Sequence, residues 1–234
     1  MTKIRDNLQI IGAKIDEYLT QYQRPKNSAQ LLAVSKRHTI DKIREAYDFG
    51  QRAFGENYVQ ELVDKNQQLS DLDIDWHFIG PLQSNKAKKI SEVASWVHAV
   101  DRLKIAQRLS DNRPGEMPPL SICLQVNISG EQSKSGISPD ELIPLAQQIA
   151  QLPKIKLRGL MVIPAPEDDF IKQREVFAQV TKLKDSLQEN LNQNGIAVEL
   201  DTLSMGMSND IEAAIAEGAT IVRVGTAIFG QRES

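Results

Sequence analysis

A single cysteine, Cys123, stands among 234 residues, so no disulfide can staple this chain to itself. It sits in an apolar stretch with Leu120, Ile122, Leu124 and Val126, where a small buried core residue is a better reading than a nucleophile. Histidine is almost as scarce. The three, His38, His77 and His98, are scattered at spacings that suggest no metal site. His77 lies in Trp76-His77-Phe78-Ile79-Gly80 and reads as a satisfied core residue in preference to an acid or base. No paired carboxylates and no Ser-His-Asp or Cys-His pattern stand out. The chain has no excess of basic residues: the formal net charge of −3 argues against nucleic acid or an acidic membrane as the main partner. The one dense basic stretch, Lys86, Lys88 and Lys89, reads as a solvated helix face. No apolar run is long enough to span a bilayer. Met1 to Tyr22 mixes charges with Leu8, Ile11, Ile15 and Leu19 at helical spacing, an amphipathic helix and not a signal peptide. A cytoplasmic location is expected.

What is present is a globular composition, 41% apolar and 25% charged, arranged in regular alternation. Strand patterns fall at 31–36, 53–56, 76–79, 97–100, 120–128, 157–163, 199–204 and 220–225. Helical patterns fall between them, near 39–49, 56–67, 84–92, 101–110, 138–150, 170–192 and 208–217. Eight strands alternating with helices predict an α/β fold, a closed (β/α)8 TIM barrel, as a single domain over 1–234. A doubly wound open sheet is the alternative. Asn209 followed by Glu212 resembles a capping box, and Gly218 fits the stop of the same helix. Gly130 and Gly136 mark 129–137 as a long loop, and Pro164 and Pro166 end the sixth strand.

Strand period then separates two faces in 120–128. Leu120, Ile122, Leu124, Val126 and Ile128 share the one expected to pack on helices, which turns Asn127 toward the barrel axis. In this fold ligand groups come from the C-terminal ends of strands, and Lys36, Asn57, Asn127, Ser204 and Arg223 all lie at or just after such ends. Lys36, after Leu32-Ala33-Val34-Ser35, would lose hydration if it points inward, and desolvation favours the free amine that attacks an aldehyde. Ser204-Met205-Gly206-Met207-Ser208 and Arg223-Val224-Gly225-Thr226 read as two turns able to cradle a phosphate: glycines for close approach, hydroxyls as donors, and a helix start near Asn209. Barrel phosphate sites commonly use the loops after strands seven and eight. A lysine facing a phosphate cradle suggests a phosphorylated aldehyde held as a Schiff base, and pyridoxal 5'-phosphate is the common ligand of that kind. Arg223 would need an acceptor inside the barrel, and Glu56 or Asp101 are candidate ion-pair partners.

These residues also carry a resemblance. The chain resembles the pyridoxal phosphate homeostasis protein family through Leu32-Ala33-Val34-Ser35-Lys36, Phe54-Gly55-Glu56-Asn57-Tyr58-Val59-Gln60-Glu61 and Trp76 to Lys86. The likeness continues in Val126-Asn127, Lys134-Ser135-Gly136, Arg158-Gly159-Leu160-Met161, Leu203 to Ser208 and Arg223 to Gly230. The resemblance implies a fold like the barrel domain of alanine racemase, with pyridoxal phosphate at its mouth. Lys36 would hold it as a Schiff base, Arg223 would face the pyridine nitrogen, and Asn57 would lie near the ring. Ser204, Gly206, Met207, Gly225 and Thr226 would surround the phosphate. It further implies cofactor buffering or delivery in vitamin B6 balance, with effects on amino-acid and keto-acid levels, and no robust turnover. An arginine beside the pyridine nitrogen disfavours its protonation and so weakens the ring as an electron sink. The barrel is expected to use essentially all 234 residues, with no second domain of the kind that closes a racemase site. Pyridoxal phosphate-dependent apoenzymes are the implied recipients, and a monomer is expected. Two other readings stay open: a small amino-acid racemase, and a cofactor sensor that docks a partner through Lys86-Ala87-Lys88-Lys89 or the 129–137 loop.

Overall fold

The computed structural model describes residues 3–130 and 135–231. Eight parallel strands close into a barrel in sequence order: β1 (Gln30–Val34), β2 (Ala53–Glu56), β3 (Asp75–Phe78), β4 (Trp96–Val100), β5 (Leu120–Gln125), β6 (Ile155–Met161), β7 (Thr202–Ser204) and β8 (Ile221–Val224). β1 pairs with β8 through Gln30–Ile221 to Ala33–Val224, and that seam decides against an open sheet. Around the barrel lie α1 (Lys3–Gln21), α2 (Ile40–Asp48), α3 (Val59–Gln68), a 3-10 turn (Ser84–Lys86) leading into α4 (Ala87–Ser91), and α5 (Leu103–Asn112). The set continues with α6 (Pro139–Ile149), α7 (Phe170–Gln193), α8 (Ile211–Ala216) and α9 (Thr226–Phe229).

Burial on both strand faces explains the layers. Outward residues such as Phe54, Phe78, Ile122, Leu124, Leu160 and Val222 form one core with the helices' apolar stripes, including Ile11, Ile15 and Leu19 of α1. Inside the barrel, Leu32, Val34, Ala53, Ile79 and Ile221 form one cluster, and Ala99, Cys123 and Met161 form another. The two faces expected for β5 are therefore the ones observed. The strand itself stops at Gln125, because beyond it Val126 bridges to Ile137 and the chain turns through Gly130 and Gly136, both at positive φ. Of that loop, residues 131–134 lie outside the described ones.

Other boundaries move where a side chain captures a backbone group. β7 begins at Thr202 and not near 199, since the Leu200 amide donates to Gln188 Oε1 of α7 at 2.8 Å. α8 begins at Ile211, and the capping box expected from Asn209 and Glu212 is not formed. Asp210 is the residue before the helix, and its carboxylate accepts from the Met207 amide at 2.5 Å. A true capping box opens α6, where Glu141 Oε2 accepts from the Ser138 amide and hydroxyl at 3.1 and 2.7 Å. Four-residue α9 was not expected, being too short to show a period. Among the described residues no helix is long and apolar enough to cross a membrane.

Lys86, Lys88 and Lys89 are exposed as a solvated face, with Lys89 Nζ donating to Gln60 Oε1 at 3.1 Å. Cys123 is fully buried, and burial pushes its thiol up to about 12. A thiol-specific alkylating reagent is expected to leave Cys123 unmodified in the native protein and to label it stoichiometrically in denaturant, as read by intact mass.

Candidate functional site

At the C-terminal mouth of the barrel a cavity of about 210 Å³ is lined by Val34, Lys36, His38, Asn57, Ile79, Ile163, Met207, Ser208, Arg223, Gly225 and Thr226. It lies where barrels carry ligand sites. Six of the eight residues expected from sequence meet there: Lys36, Asn57, Met207, Arg223, Gly225 and Thr226. Ser204 and Gly206 are absent from the lining. Ser204 ends β7 pointing into the barrel, where its hydroxyl accepts from Arg223 Nη1 and meets His98 Nδ1, each at 2.8 Å. Gly206, at φ +95°, has no room for a Cβ, which would stand 2.6 Å from Ala214 Cβ. Its carbonyl accepts the Arg223 amide at 2.9 Å. Both residues seat Arg223 from below. Asn127 does not line the cavity either; its side-chain oxygen accepts from Ser129 Oγ at 3.1 Å.

Neighbours on α3 and β2 shape the Lys36 turn. Arg37 follows it at φ +60°, a conformation that costs a non-glycine residue about 1 kcal/mol or more. The turn is held nonetheless. The Arg37 amide donates to Glu61 Oε1 at 2.5 Å, the His38 amide to the Ser35 carbonyl at 3.0 Å, and Ser35 Oγ to Glu56 Oε1 at 2.6 Å. Lys65 of α3 ties the assembly together. Its Nζ donates to the Ser35 carbonyl at 2.8 Å and to Glu56 and Glu61 at 2.7 Å each. Desolvation pushes the Glu56 carboxyl up to about 7, against the pull of Lys65 and Ser35.

Arg223 is buried, and burial pulls its guanidinium down to about 10 while Asp210 opposes that, so it stays a cation at neutral pH. Its acceptors are Ser204 Oγ and, at 2.9 Å, the Val162 carbonyl. Neither acid anticipated for it is its partner: Glu56 is bound to Lys65, and Asp101 lies 3.4 Å from Arg102. Sequence reasoning missed His38, Ile79, Val34 and Ile163 as lining residues. The position of His38, two residues past Lys36 in the same turn, was the available signal; its ring packs 5.1 Å from Phe229.

Backbone crowding fixes Asn57. A Cβ on Gly80 would stand 2.1 Å from the Asn57 carbonyl oxygen, so the two loops touch main chain to main chain. Gly80→Ala is expected to displace Asn57 and cost about 1–3 kcal/mol by overpacking. Gly115→Ala, with nothing within 4 Å of the added atom, serves as the silent control in the same thermal melts.

The cavity thus offers a primary amine, one buried cation, hydroxyls at Ser208 and Thr226, and an Asn57 side-chain oxygen that is buried without a partner. That set complements a small anionic carbonyl compound: the amine takes the carbonyl, the cation a ring or anionic group, and the amide a polar substituent. Pyridoxal phosphate fits this donor set. The Met207 amide is already engaged by Asp210, whereas the turns at Ser208 and Gly225-Thr226 bring hydroxyls to the cavity.

The chain belongs to the alanine racemase N-terminal domain family, whose model matches residues 7–233. More narrowly, it is 52% identical over 233 residues to the pyridoxal phosphate homeostasis protein of Pseudomonas aeruginosa, covering 100% of this chain and 97% of that one. It is 50% identical over 236 residues to the Escherichia coli K12 protein of the same name, covering 100% and 98%. Among solved structures it is similar to PipY of Synechococcus elongatus with pyridoxal phosphate bound, at 42% identity, TM-score 0.80, and coverage of 92% and 100%. Alanine racemase of Clostridium difficile 630 shares the fold at TM-score 0.71 and 14% identity, with 99% of this chain matched to 57% of the racemase.

Proposed function

We propose that this protein binds pyridoxal 5'-phosphate through Lys36 and serves vitamin B6 homeostasis by holding, buffering and delivering the cofactor, with no dedicated substrate turnover. The observation that carries the reading is the meeting of Lys36 and the buried cation Arg223 in one cavity with two hydroxyl-bearing turns. When bound, the cofactor supplies an aldehyde that condenses with an amine and a ring that can accept electron density. Lys36 is the nucleophile. Arg223, kept cationic and hydrogen-bonded from below, orients the ring and disfavours a proton on its nitrogen. Ser208, Gly225 and Thr226 hold the phosphate, with Met207 beside it, and Asn57 positions the ring edge. Ser204 and Gly206 act through Arg223. Met207, Ser208 and Thr226 are exposed, so water reaches the site; this weakens electrostatic stabilisation of any reaction and favours exchange of the cofactor. The relatives' names and the pyridoxal phosphate in the PipY structure support the same reading. Delivery is to pyridoxal phosphate-dependent apoenzymes, from a cytoplasmic, monomeric, single-domain barrel.

Borohydride reduction of protein incubated with pyridoxal phosphate, followed by peptide mapping, is the test. A phosphopyridoxyl group on Lys36 is expected. Its absence would mean that the cavity serves a different phosphorylated ligand. Steady amino-acid turnover abolished by Lys36→Ala would replace the carrier role with that of a small racemase.

A further inference from the structure

Arg223 is the end of a hydrogen-bonded chain that crosses the inside of the barrel. Arg223 Nη1 donates to Ser204 Oγ at 2.8 Å. Ser204 Oγ lies 2.8 Å from His98 Nδ1, His98 Nε2 lies 2.8 Å from His77 Nδ1, and His77 Nε2 lies 3.1 Å from Asp75 Oδ2. The links come from β8, β7, β4 and β3. Ser204, His98 and His77 have no solvent exposure, whereas the Asp75 side chain is 37% exposed. Asp75 opens β3, and Arg223 lines the cavity beyond the other ends of the strands. The chain therefore joins the N-terminal face of the barrel to its mouth.

With both histidines neutral, its two ends order the protons between them. Arginine can only donate and an ionised carboxylate can only accept, while a serine hydroxyl and a neutral imidazole each do one of each along such a chain. With Asp75 ionised, His77 carries its proton on Nε2 and accepts at Nδ1. His98 then donates from Nε2 and accepts at Nδ1, and Ser204 donates to it while accepting from Arg223. No group in this arrangement is left unpaired and no histidine is charged. The surrounding electrostatics agree. Burial raises the Asp75 carboxyl, while hydrogen bonds from His77 and Ser95 lower it, and the net shift is downward. Burial drives His98 well below its usual range, and the Arg223 charge adds to it. The other groups facing the chain are Asp210 and Cys123 toward Arg223, Trp96 stacked 5.6 Å from the His77 ring, and Arg158 over the Trp96 ring.

We propose that Asp75, His77, His98 and Ser204 are positioning residues for Arg223, a one-way chain that fixes its guanidinium at the cavity and couples the charge there to Asp75 at the far face of the barrel. The inference rests on the pyridoxal phosphate reading only for what Arg223 meets; the proton arrangement is a property of the protein alone. It is tested first by NMR of the cofactor-free full chain labelled with 15N-histidine. Both His77 and His98 are expected as the Nε2–H form, and His98 protonated on Nδ1 would overturn the proposal. Ser204→Ala is then expected to keep the borohydride adduct on Lys36 while weakening pyridoxal phosphate binding about tenfold; affinity within twofold of wild type would overturn it. Asp75→Asn keeps an acceptor for His77 and removes only the charge, so it serves even where the serine variant folds poorly. It is expected to lower the pH midpoint of the bound cofactor's absorbance, because a more positive site disfavours protonation. An unmoved midpoint would leave Asp75 a packing residue and overturn the coupling. A wild-type protein without a Lys36 adduct would fail the cofactor reading and still leave the histidine forms to decide the chain.

Discussion

Lys36→Ala is expected to abolish the reducible pyridoxal phosphate adduct and to weaken retention of the cofactor by on the order of 100-fold or more, about 2.7 kcal/mol. The size follows from what the variant loses and what it keeps. Arg223, Ser208 and Thr226 remain in the cavity, so the phosphate and ring still find partners, and what disappears is the covalent bond. No neighbouring amine can stand in. Lys65 is only 5% exposed, and all three of its acceptors lie within 2.8 Å. Swinging it to the cavity would strand Glu56 in the interior without a counter-charge. Lys36→Arg should lose the adduct just as completely, since a guanidinium keeps the charge but supplies no free amine near neutral pH. Equilibrium dialysis combined with intact mass after reduction reads both quantities. Full adduct stoichiometry in Lys36→Ala would move the covalent site elsewhere.

The barrel was legible because short, largely apolar stretches alternate with helical patterns eight times, a signal that survives errors of two or three positions at the ends. Lys36 and Arg223 were legible less from their own strands than from their company: each cation ends an apolar stretch, and two turns rich in glycine and hydroxyls lie near the chain's other end. Ser204 and Gly206 show where that reasoning stops. A hydroxyl and a glycine look the same in sequence whether they line a cavity or pack beneath it, and only the inward aim of β7 separates the two. The chain through His77 and His98 was invisible for a different reason. Its links join residues 21 and 106 positions apart, so no local pattern records them, and each histidine alone reads as core. Glu56 was foreseen as an acid that could pair inside the barrel. The sequence could not show that Lys65, one turn and a half along α3, reaches it before Arg223 does. Asn209 and Glu212 had the spacing of a cap, yet Asp210 between them captured the free Met207 amide, a competition that spacing does not reveal.

That buried Lys65–Glu56 pair is where the fold should prove most fragile. Lys65→Met leaves Glu56 in the interior with only the Ser35 hydroxyl and strips the Ser35 carbonyl and Glu61 of a donor. Removing one partner of a buried ion pair costs about 3–5 kcal/mol, which in a domain of this size corresponds to a fall in Tm of roughly 6–20 °C. The loss should depend on pH with a definite sign. Glu56 has a folded value raised to about 7 from the ordinary 4.5, with burial the leading cause. Between those values the native state holds a proton that the unfolded chain has released. Its stabilising effect is therefore complete below about 4.5 and is lost as the pH rises through 7. Without Lys65 the ionised carboxylate is harder still to bury, so the variant's deficit should be smallest near pH 5, where Glu56 is neutral, and largest near pH 8. Adding Glu56→Gln to Lys65→Met replaces the stranded charge with a neutral amide and should recover a substantial part of the pH 8 deficit, a non-additivity that identifies the pair as the source. Melting curves of the wild type, both single variants and the double variant at pH 5 and 8 measure all of this. Equal deficits at the two pH values would mean that the charge on Glu56 is not what Lys65 holds in place, and that its worth lies in the Ser35 carbonyl and the turn carrying Lys36.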